Sequence, residues 1–335
     1  MTKKIAILGA GGWGTALATV LAYNSLDVKI WSHSEIEVEN FEKFRENRRF
    51  LKGVKLPETL SFSVDLEDVL KGRDFIVLAN PSQFQRSVLE RAKKFIDPSS
   101  ILVNVAKGIE NNTLLRMSEV IREVLPECDK IATLSGPSHA EEVARKIPTV
   151  VVVASQNSSI LPEIQRIFMN RYFRVYTNDD IIGVELGGSL KNIIALAAGI
   201  CDGLGFGDNT KGALLTRGLA EITRLGMKLG ARKETFSGIS GMGDLITTCM
   251  SRHSRNRYVG EQIGKGRKLK EIIDEMVMVV EGVKTTRSAY DLGKQVDVEL
   301  PITVEVFNVL FEDKNPLTAV EDLMLRDPKP EFYWL

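Results

Sequence analysis

What most constrains this chain is the glycine cluster near its start. Lys4 to Leu8 is a short β-branched and aliphatic run that reads as a strand, and it passes directly into Gly9-Ala10-Gly11-Gly12-Trp13-Gly14. Gly9, Gly11 and Gly14 take the first, third and sixth places of a G-x-G-x-x-G pattern. Each place needs glycine for its own reason: a tight turn, approach of a pyrophosphate to the backbone, and close packing of the next helix on the strand. A helix predicted over 12–24 follows and would aim its positive end at an anion, and Val28 to Trp31 supplies the second strand of a βαβ unit. Alone, a glycine-rich turn is a weak signal. Between a first strand and an apolar helix it predicts a dinucleotide-binding turn.

The alternation continues through the first half of the chain. Apolar runs at 60–64, 75–79, 101–105, 131–134, 150–154 and 173–176 predict strands, separated by helices such as 83–96, 114–125 and 160–168. This is the pattern of an α/β fold with a doubly wound, mainly parallel sheet, whose ligands bind beyond the carboxyl ends of the strands. Three strand exits carry polar residues: Asn80-Pro81-Ser82, Ala106-Lys107-Gly108 and Ser135-Gly136-Pro137-Ser138-His139. Lys107 is placed to stabilise a carbonyl or phosphate oxygen, although a plain surface lysine reads the same way. His139 stands before Glu141 and Glu142 at a helix start, where capping is the commoner role. The second strand ends in Trp31-Ser32-His33-Ser34, with no acid on the adenosine ribose to repel a 2′-phosphate. Arg45, Arg48 and Arg49 lie on or after a polar helix and could neutralise one; NADPH is allowed and NADH is not excluded.

After Asn178 strand-like runs stop and helical periodicity takes over. The expected domains are therefore 1–178, dinucleotide-binding, and 179–335, all-helical and substrate-binding. The first helix of the second domain is apolar almost all round, with only Glu185 and Lys191 charged between Ile181 and Cys201. Gly187 and Gly188 lie one turn before Lys191, and Ile194 and Ala195 one turn after, leaving room for a small ligand beside an ammonium. Desolvation there would favour the neutral amine that a proton acceptor requires. A lysine that snorkels to water, or pairs with Glu185, is the plainer reading. In Gly241-Met242-Gly243-Asp244-Leu245 the aspartate reads as an N-cap or as a partner for a lysine or a substrate hydroxyl. The basic, donor-rich stretch Ser251 to Arg257 suits a phosphate or carboxylate cradle.

Composition narrows the classes. A length of 335 residues exceeds the usual single core, so two domains are expected. Lysine plus arginine and aspartate plus glutamate number 44 each, so no overall field draws the chain to nucleic acid or to an anionic membrane. Cys128, Cys201 and Cys249 are odd in number and lack metal-type spacing, which fits reduced thiols of a cytoplasmic protein without a bound metal. No secretory leader and no bilayer-spanning run are expected, the longest apolar run being Ile193 to Cys201.

The glycine cluster with Thr15-Ala16-Leu17, together with Ala106-Lys107-Gly108, Ser135-Gly136-Pro137-Ser138, Leu190-Lys191-Asn192, Gly241 to Leu245, Ser254-Arg255-Asn256 and Val280-Glu281-Gly282, appears in one order and spacing. That set closely resembles the bacterial NAD(P)-dependent sn-glycerol-3-phosphate dehydrogenases, over essentially the whole chain. The resemblance implies interconversion of sn-glycerol 3-phosphate and dihydroxyacetone phosphate for glycerophospholipid synthesis. It implies a Rossmann domain followed by a helical domain of the 6-phosphogluconate dehydrogenase C-terminal type, with the active site in the cleft between them. It assigns Lys191 as proton acceptor, and Lys107, Gly136, Ser138, Asp244, Ser254, Arg255 and Asn256 as substrate contacts. It assigns Gly12, Trp13, His33, Lys107, Ala140, Arg255, Val279 and Glu281 as contacts to NAD(P)H, beside Gly9, Gly11 and Gly14 of the turn and Arg49. Gly12 departs from relatives that often carry serine there, and Ser138 from many that carry threonine. A homodimer is compatible with all of this.

Two rivals follow from the residues themselves. A 3-hydroxyacyl or β-hydroxyacid dehydrogenase of the same build would, in its hydroxyacyl form, use His139 as base. A non-catalytic dinucleotide sensor would need neither the cradle nor a buried lysine.

Overall fold

The computed structural model describes residues 2–331. They form two compact units, 2–107 with Leu115–Glu185, and Gly108–Leu114 with 186–331. The expected division after Asn178 falls ahead of this boundary, and the short segment 108–114 is grouped with the later residues.

The first unit holds all the strands: β1 Lys4–Leu8, β2 Asp27–Trp31, β3 Glu46–Asn47, β4 Leu51–Lys55, β5 Ser61–Ser63, β6 Phe75–Leu78, β7 Ile101–Asn104, β8 Ile131–Ser135, β9 Thr149–Ala154 and β10 Phe173–Asn178. Eight of them make one sheet in the order β10-β9-β8-β7-β6-β1-β2-β5. Neighbours run parallel except β8 and β9, which are antiparallel. The mainly parallel sheet expected from the alternation is therefore present. Its period-two logic is clearest in β1: Ile5 and Ile7 join the core on one face, with Leu17, Val28 and Phe75, while Ala6 and Leu8 join the core on the other, with Ile76, Leu102 and Ile121. A strand covered on both faces must be apolar throughout, which is why it was readable. Strand order reverses between β1 and β6, so the switch point lies at the glycine-rich turn.

Two local readings change. The three arginines come after the polar helix and not on it, in a hairpin that was not expected: helix Glu35–Phe44 stops at Arg45, which takes a left-handed conformation with φ 49°, and the antiparallel pair β3 and β4 follows. The helix expected over 114–125 starts only at Met117, because Asn112 and Leu114 hold positive φ values of 69° and 60° that no helix accommodates.

In the second unit the described residues form helices and turns without strands. Helix Ile181–Gly203 is long and apolar enough to cross a membrane, but 94% of its most apolar window is buried within the protein, as befits a core helix. It crosses helix Arg255–Gly264 at backbone contact. A Cβ on Gly199 would stand 1.9 Å from the Arg257 carbonyl oxygen, on Gly203 2.3 Å from that of Glu261, on Gly260 2.0 Å from that of Leu196, and on Gly264 2.4 Å from that of Ile200. Each helix thus offers a Gly-x-x-x-Gly face to the other, and only hydrogen fits at the crossing.

The crossing predicts opposite outcomes for two glycine-to-alanine changes. Gly260→Ala forces the helices apart and should cost at least about 2 kcal/mol. Gly212→Ala, at an exposed position in helix Asp208–Lys228 with nothing within 4 Å of the new methyl, should stabilise by about 0.5–1 kcal/mol. Thermal melts of the two variants and the parent check this; equal shifts would refute the close crossing.

Candidate active site

At the switch point the structure separates the glycines by what each one meets. Gly9, with φ 122°, has Ala79 and Asn80 backbone atoms 2.8 Å from the place of a Cβ, and Gly14 has the Gly9 carbonyl oxygen at 2.1 Å. These two are demanded by the fold. A Cβ on Gly11 would meet nothing within 4 Å. Its missing side chain therefore serves something other than the protein's own packing. Gly11 is the N-cap of helix Gly12–Tyr23 and no side chain caps the first-turn N–H groups, which stay oriented for an anion. The turn is held from the hairpin: Asn47, buried on β3, donates to the Ala10 carbonyl at 2.9 Å and to Thr15 Oγ1 at 2.8 Å, and its Oδ1 accepts from Phe50 N at 3.0 Å. The same loop presses the Phe50 carbonyl to 2.8 Å from the place of a Gly12 Cβ. Serine at position 12 would collide with it, which explains the departure noted above. Ala140 lies beside Gly12, its Cβ 3.7 Å from that place, and Trp13 is half-buried with its indole nitrogen lacking a partner. These features fit the pyrophosphate and adjoining parts of a dinucleotide.

At the next exits, Lys107 Nζ donates to the Gly136 carbonyl at 2.9 Å, and Ser138 Oγ to the same oxygen at 2.8 Å. Three of the expected substrate contacts are thus gathered on one carbonyl. Gly136 takes φ 140° there, which only glycine adopts without strain. Asn104 at the end of β7 accepts from Ala106 N and donates to the Ala106 carbonyl, both at 3.1 Å, fixing the backbone that leads to Lys107. His139 occupies the N-cap of helix Ala140–Ala144 without a side-chain cap bond, so the capping role is not made by its ring. His33 is exposed after β2.

In the helical unit Lys191 is 5% exposed and does not snorkel. It does not pair with Glu185 either: that carboxylate accepts from Ser118 and from Arg116 at 2.6–2.8 Å. The partner is Asp244, 1% exposed, whose Oδ1 accepts from Lys191 Nζ at 2.8 Å. Thr248, one turn on from Asp244, accepts from the same nitrogen and donates to Asp244 Oδ1 at 3.2 Å. The capping reading of Asp244 is corrected: Gly243 holds the cap position and Asp244 is the first residue of helix Asp244–Met250. The nitrogen is thus held by a carboxylate and a hydroxyl instead of sitting in a purely apolar wall. Thr248 escaped the sequence reading; the available signal was its i, i+4 spacing from Asp244.

The cradle is more structural than expected. Ser254 caps helix Arg255–Gly264 by accepting from Arg257 N at 3.2 Å. Asn256 donates to Asn192 Oδ1 at 2.9 Å and accepts from Gly282 N at 3.0 Å, tying the starts of two helices to the middle of the long one, next to Lys191. Arg255 is exposed, with Nη1 2.6 Å from the Val279 carbonyl oxygen. Glu281 begins helix Glu281–Gln295 and is half-buried. Cys128, Cys201 and Cys249 are buried free thiols, pushed up to about 11, 11 and 12 chiefly by desolvation, and are unreactive in this state.

Comparison with known proteins accounts for both units. Residues 4–161 match the family model described as NAD-dependent glycerol-3-phosphate dehydrogenase N-terminus, and residues 180–321 the corresponding C-terminus. A protein of Carboxydothermus hydrogenoformans named glycerol-3-phosphate dehydrogenase [NAD(P)+] is 54% identical over 329 residues, covering 98% of each chain. One of the same name from Bacillus velezensis is 53% identical, covering 97% of this chain and 94% of that one. The crystal structure of the glycerol-3-phosphate dehydrogenase of Coxiella burnetii superposes with a TM-score of 0.93 at 40% identity, over 97% of this chain and 99% of that one. With a glycine turn open to a ligand in one unit, a buried lysine–aspartate pair in the other, and family matches on both, the chain belongs to the NAD-dependent glycerol-3-phosphate dehydrogenases.

Proposed function

We propose that this chain interconverts sn-glycerol 3-phosphate and dihydroxyacetone phosphate with NAD(P)H, that Lys191 carries the proton, and that the product serves glycerophospholipid synthesis in the cytoplasm. The observation that carries the reading is the buried Lys191–Asp244–Thr248 cluster in a chain of this family. Gly9, Gly11, Gly12, Trp13, Gly14, His33, Arg49 and Ala140 are read as holding the dinucleotide in the first unit, and Arg255, Val279 and Glu281 as its contacts in the second. When bound, the nicotinamide supplies the two-electron acceptor or donor for the hydride at C2.

In oxidation the Lys191 amine accepts the proton of the C2 hydroxyl as that carbon loses hydride; in reduction the ammonium returns it to the forming alkoxide. Asp244 and Thr248 fix the nitrogen, which keeps donor and acceptor within reach at no further ordering cost. Lys107 stabilises charge on the substrate oxygen, with Gly136 and Ser138 as neighbours in that role. Arg255, with Ser254 and Asn256, grips the phosphate, a remote contact that aligns the reacting carbon. A homodimer belongs to this reading, and sedimentation of the purified protein tests it.

Purified protein mixed with dihydroxyacetone phosphate should consume NADH, NADPH or both, followed separately by absorbance; loss of neither sinks the proposal. Lys191→Met should lower kcat by at least about 10³-fold while dinucleotide affinity stays within about threefold of the parent, and turnover regained at elevated pH would contradict proton transfer. Asp244→Ala removes the group that holds the Lys191 nitrogen, so kcat should fall by at least about tenfold with dinucleotide affinity within about threefold of the parent; an unchanged kcat argues against the pairing as a functional one. Arg255→Gln should lower kcat/KM for the phosphorylated substrate by about 30–100-fold.

A further inference from the structure

Ser32, the first residue after β2, is buried, and its hydroxyl donates to Glu37 Oε2 at 2.7 Å. Glu37 lies in the first turn of helix Glu35–Phe44, and its side chain is only 9% exposed. Its other oxygen, Oε1, accepts from Arg49 Nη1 at 3.2 Å. Arg49 sits in the turn between β3 and β4, 57% exposed, with its guanidinium 4.9 Å above the Phe50 ring. Hydroxyl, carboxylate and guanidinium therefore form one continuous array from the exit of β2 to the hairpin tip. In a doubly wound sheet that exit meets the adenosine ribose, where NADH bears a 2′-hydroxyl and NADPH a 2′-phosphate. No acid stands at the strand end in sequence, yet the fold delivers one from the following helix.

We infer that the Ser32–Glu37–Arg49 array sets the choice of dinucleotide, with Glu37 as the residue that biases the site toward NADH. A 2′-phosphate needs an unmatched cation, and the array's only cation is already matched by Glu37. The carboxylate is also shielded from water, so a phosphate brought close to it meets weakly screened repulsion. A 2′-hydroxyl meets no such penalty, since it can donate to a carboxylate. The two neighbouring arginines do not fill the gap. Arg45 donates to the carbonyl oxygens of Pro57 and Leu60, and Arg48 lies 3.5 Å above the Phe44 ring with Glu46 at 3.6 Å. Arg49 thus remains a potential phosphate ligand held in check by its own partner.

The inference rests on the dinucleotide reading above, and direct binding separates the two. Dissociation constants for NADH and NADPH are measured by fluorescence titration on the parent, Glu37→Gln, Arg49→Gln and the double variant. The parent should bind NADH more tightly. Glu37→Gln retains an acceptor for Ser32 and frees Arg49, so NADPH affinity should rise by about tenfold or more with NADH within about threefold. The double variant should lose that gain. Arg49→Gln alone, at an exposed position that does not endanger folding, leaves Glu37 unmatched and should weaken NADPH while sparing NADH. An unchanged NADPH to NADH ratio in both single variants overturns the inference and leaves the dinucleotide reading intact; a parent that binds neither overturns both.

Discussion

The second unit is organised by a contact that no side chain can share: two helices crossing where only glycine fits. Gly199 and Gly203 on one helix and Gly260 and Gly264 on the other bring main-chain atoms together. The consequence reaches the chemistry because the long helix carries Lys191 and Asn192, and its partner begins with Arg255 and Asn256. With the axes this close, Asn256 can bond Asn192 directly, and Gly282 can press against both, a Cβ there standing 2.6 Å from Asn256 Oδ1 and 2.9 Å from the Asn192 carbonyl oxygen. The cradle and the lysine are positioned by main-chain packing, which is stiffer than any pair of long side chains.

That stiffness bears on how an ammonium can be kept in such a place. An isolated charge buried in apolar surroundings costs several kcal/mol, and partnering by an acid returns much of it only if the geometry is good and the remaining donors are satisfied. Asp244 and Thr248 take two of the three ammonium donors from one helix turn and bond to each other as well. Gly187 contributes from below, since a Cβ on it would lie 2.8 Å from the Ser240 carbonyl oxygen, so the loop before Asp244 also packs on the long helix without an intervening side chain. The carboxylate is thereby held to the lysine, and the pair is a rigid unit.

Much of this was legible beforehand, and the reason is the periodicity of buried elements. β1, β6 and β7 are covered on both faces and read as continuous apolar runs, and the long helix is apolar all round for the same reason. Lys191 stood out as a charge where the apolar pattern wanted none, Lys107 by its place at a strand exit and Asp244 by its place at a helix start after a glycine turn. The hairpin did not stand out, because β3 has two residues and β4 breaks the period of two, with buried Leu51 and Val54 separated by exposed Lys52 and Gly53. Glu37 was missed for a different reason: it matters through contacts made between elements, which spacing does not reveal, whereas the i, i+4 spacing of Thr248 from Asp244 was there to be read. Lys191 was paired with Glu185 in the plainer reading because both lie on one helix, but six residues apart they face different directions, and Glu185 instead anchors the helix start through Arg116 and Ser118.

The hairpin also links two demands that the sequence presents separately. Asn47 clamps the glycine-rich turn, and Arg49, two residues on, reaches the carboxylate behind Ser32. On the dinucleotide reading proposed above, a change that shifts the hairpin acts on the pyrophosphate end and the ribose end together. Gly12 fits this picture. The glycine leaves room for the Phe50 carbonyl to close over the helix start, giving up a hydroxyl that could have touched a phosphate but letting the hairpin sit where its arginine meets Glu37. The loss of one side-chain contact at the turn and the meeting of Arg49 with Glu37 thus follow from the same missing side chain.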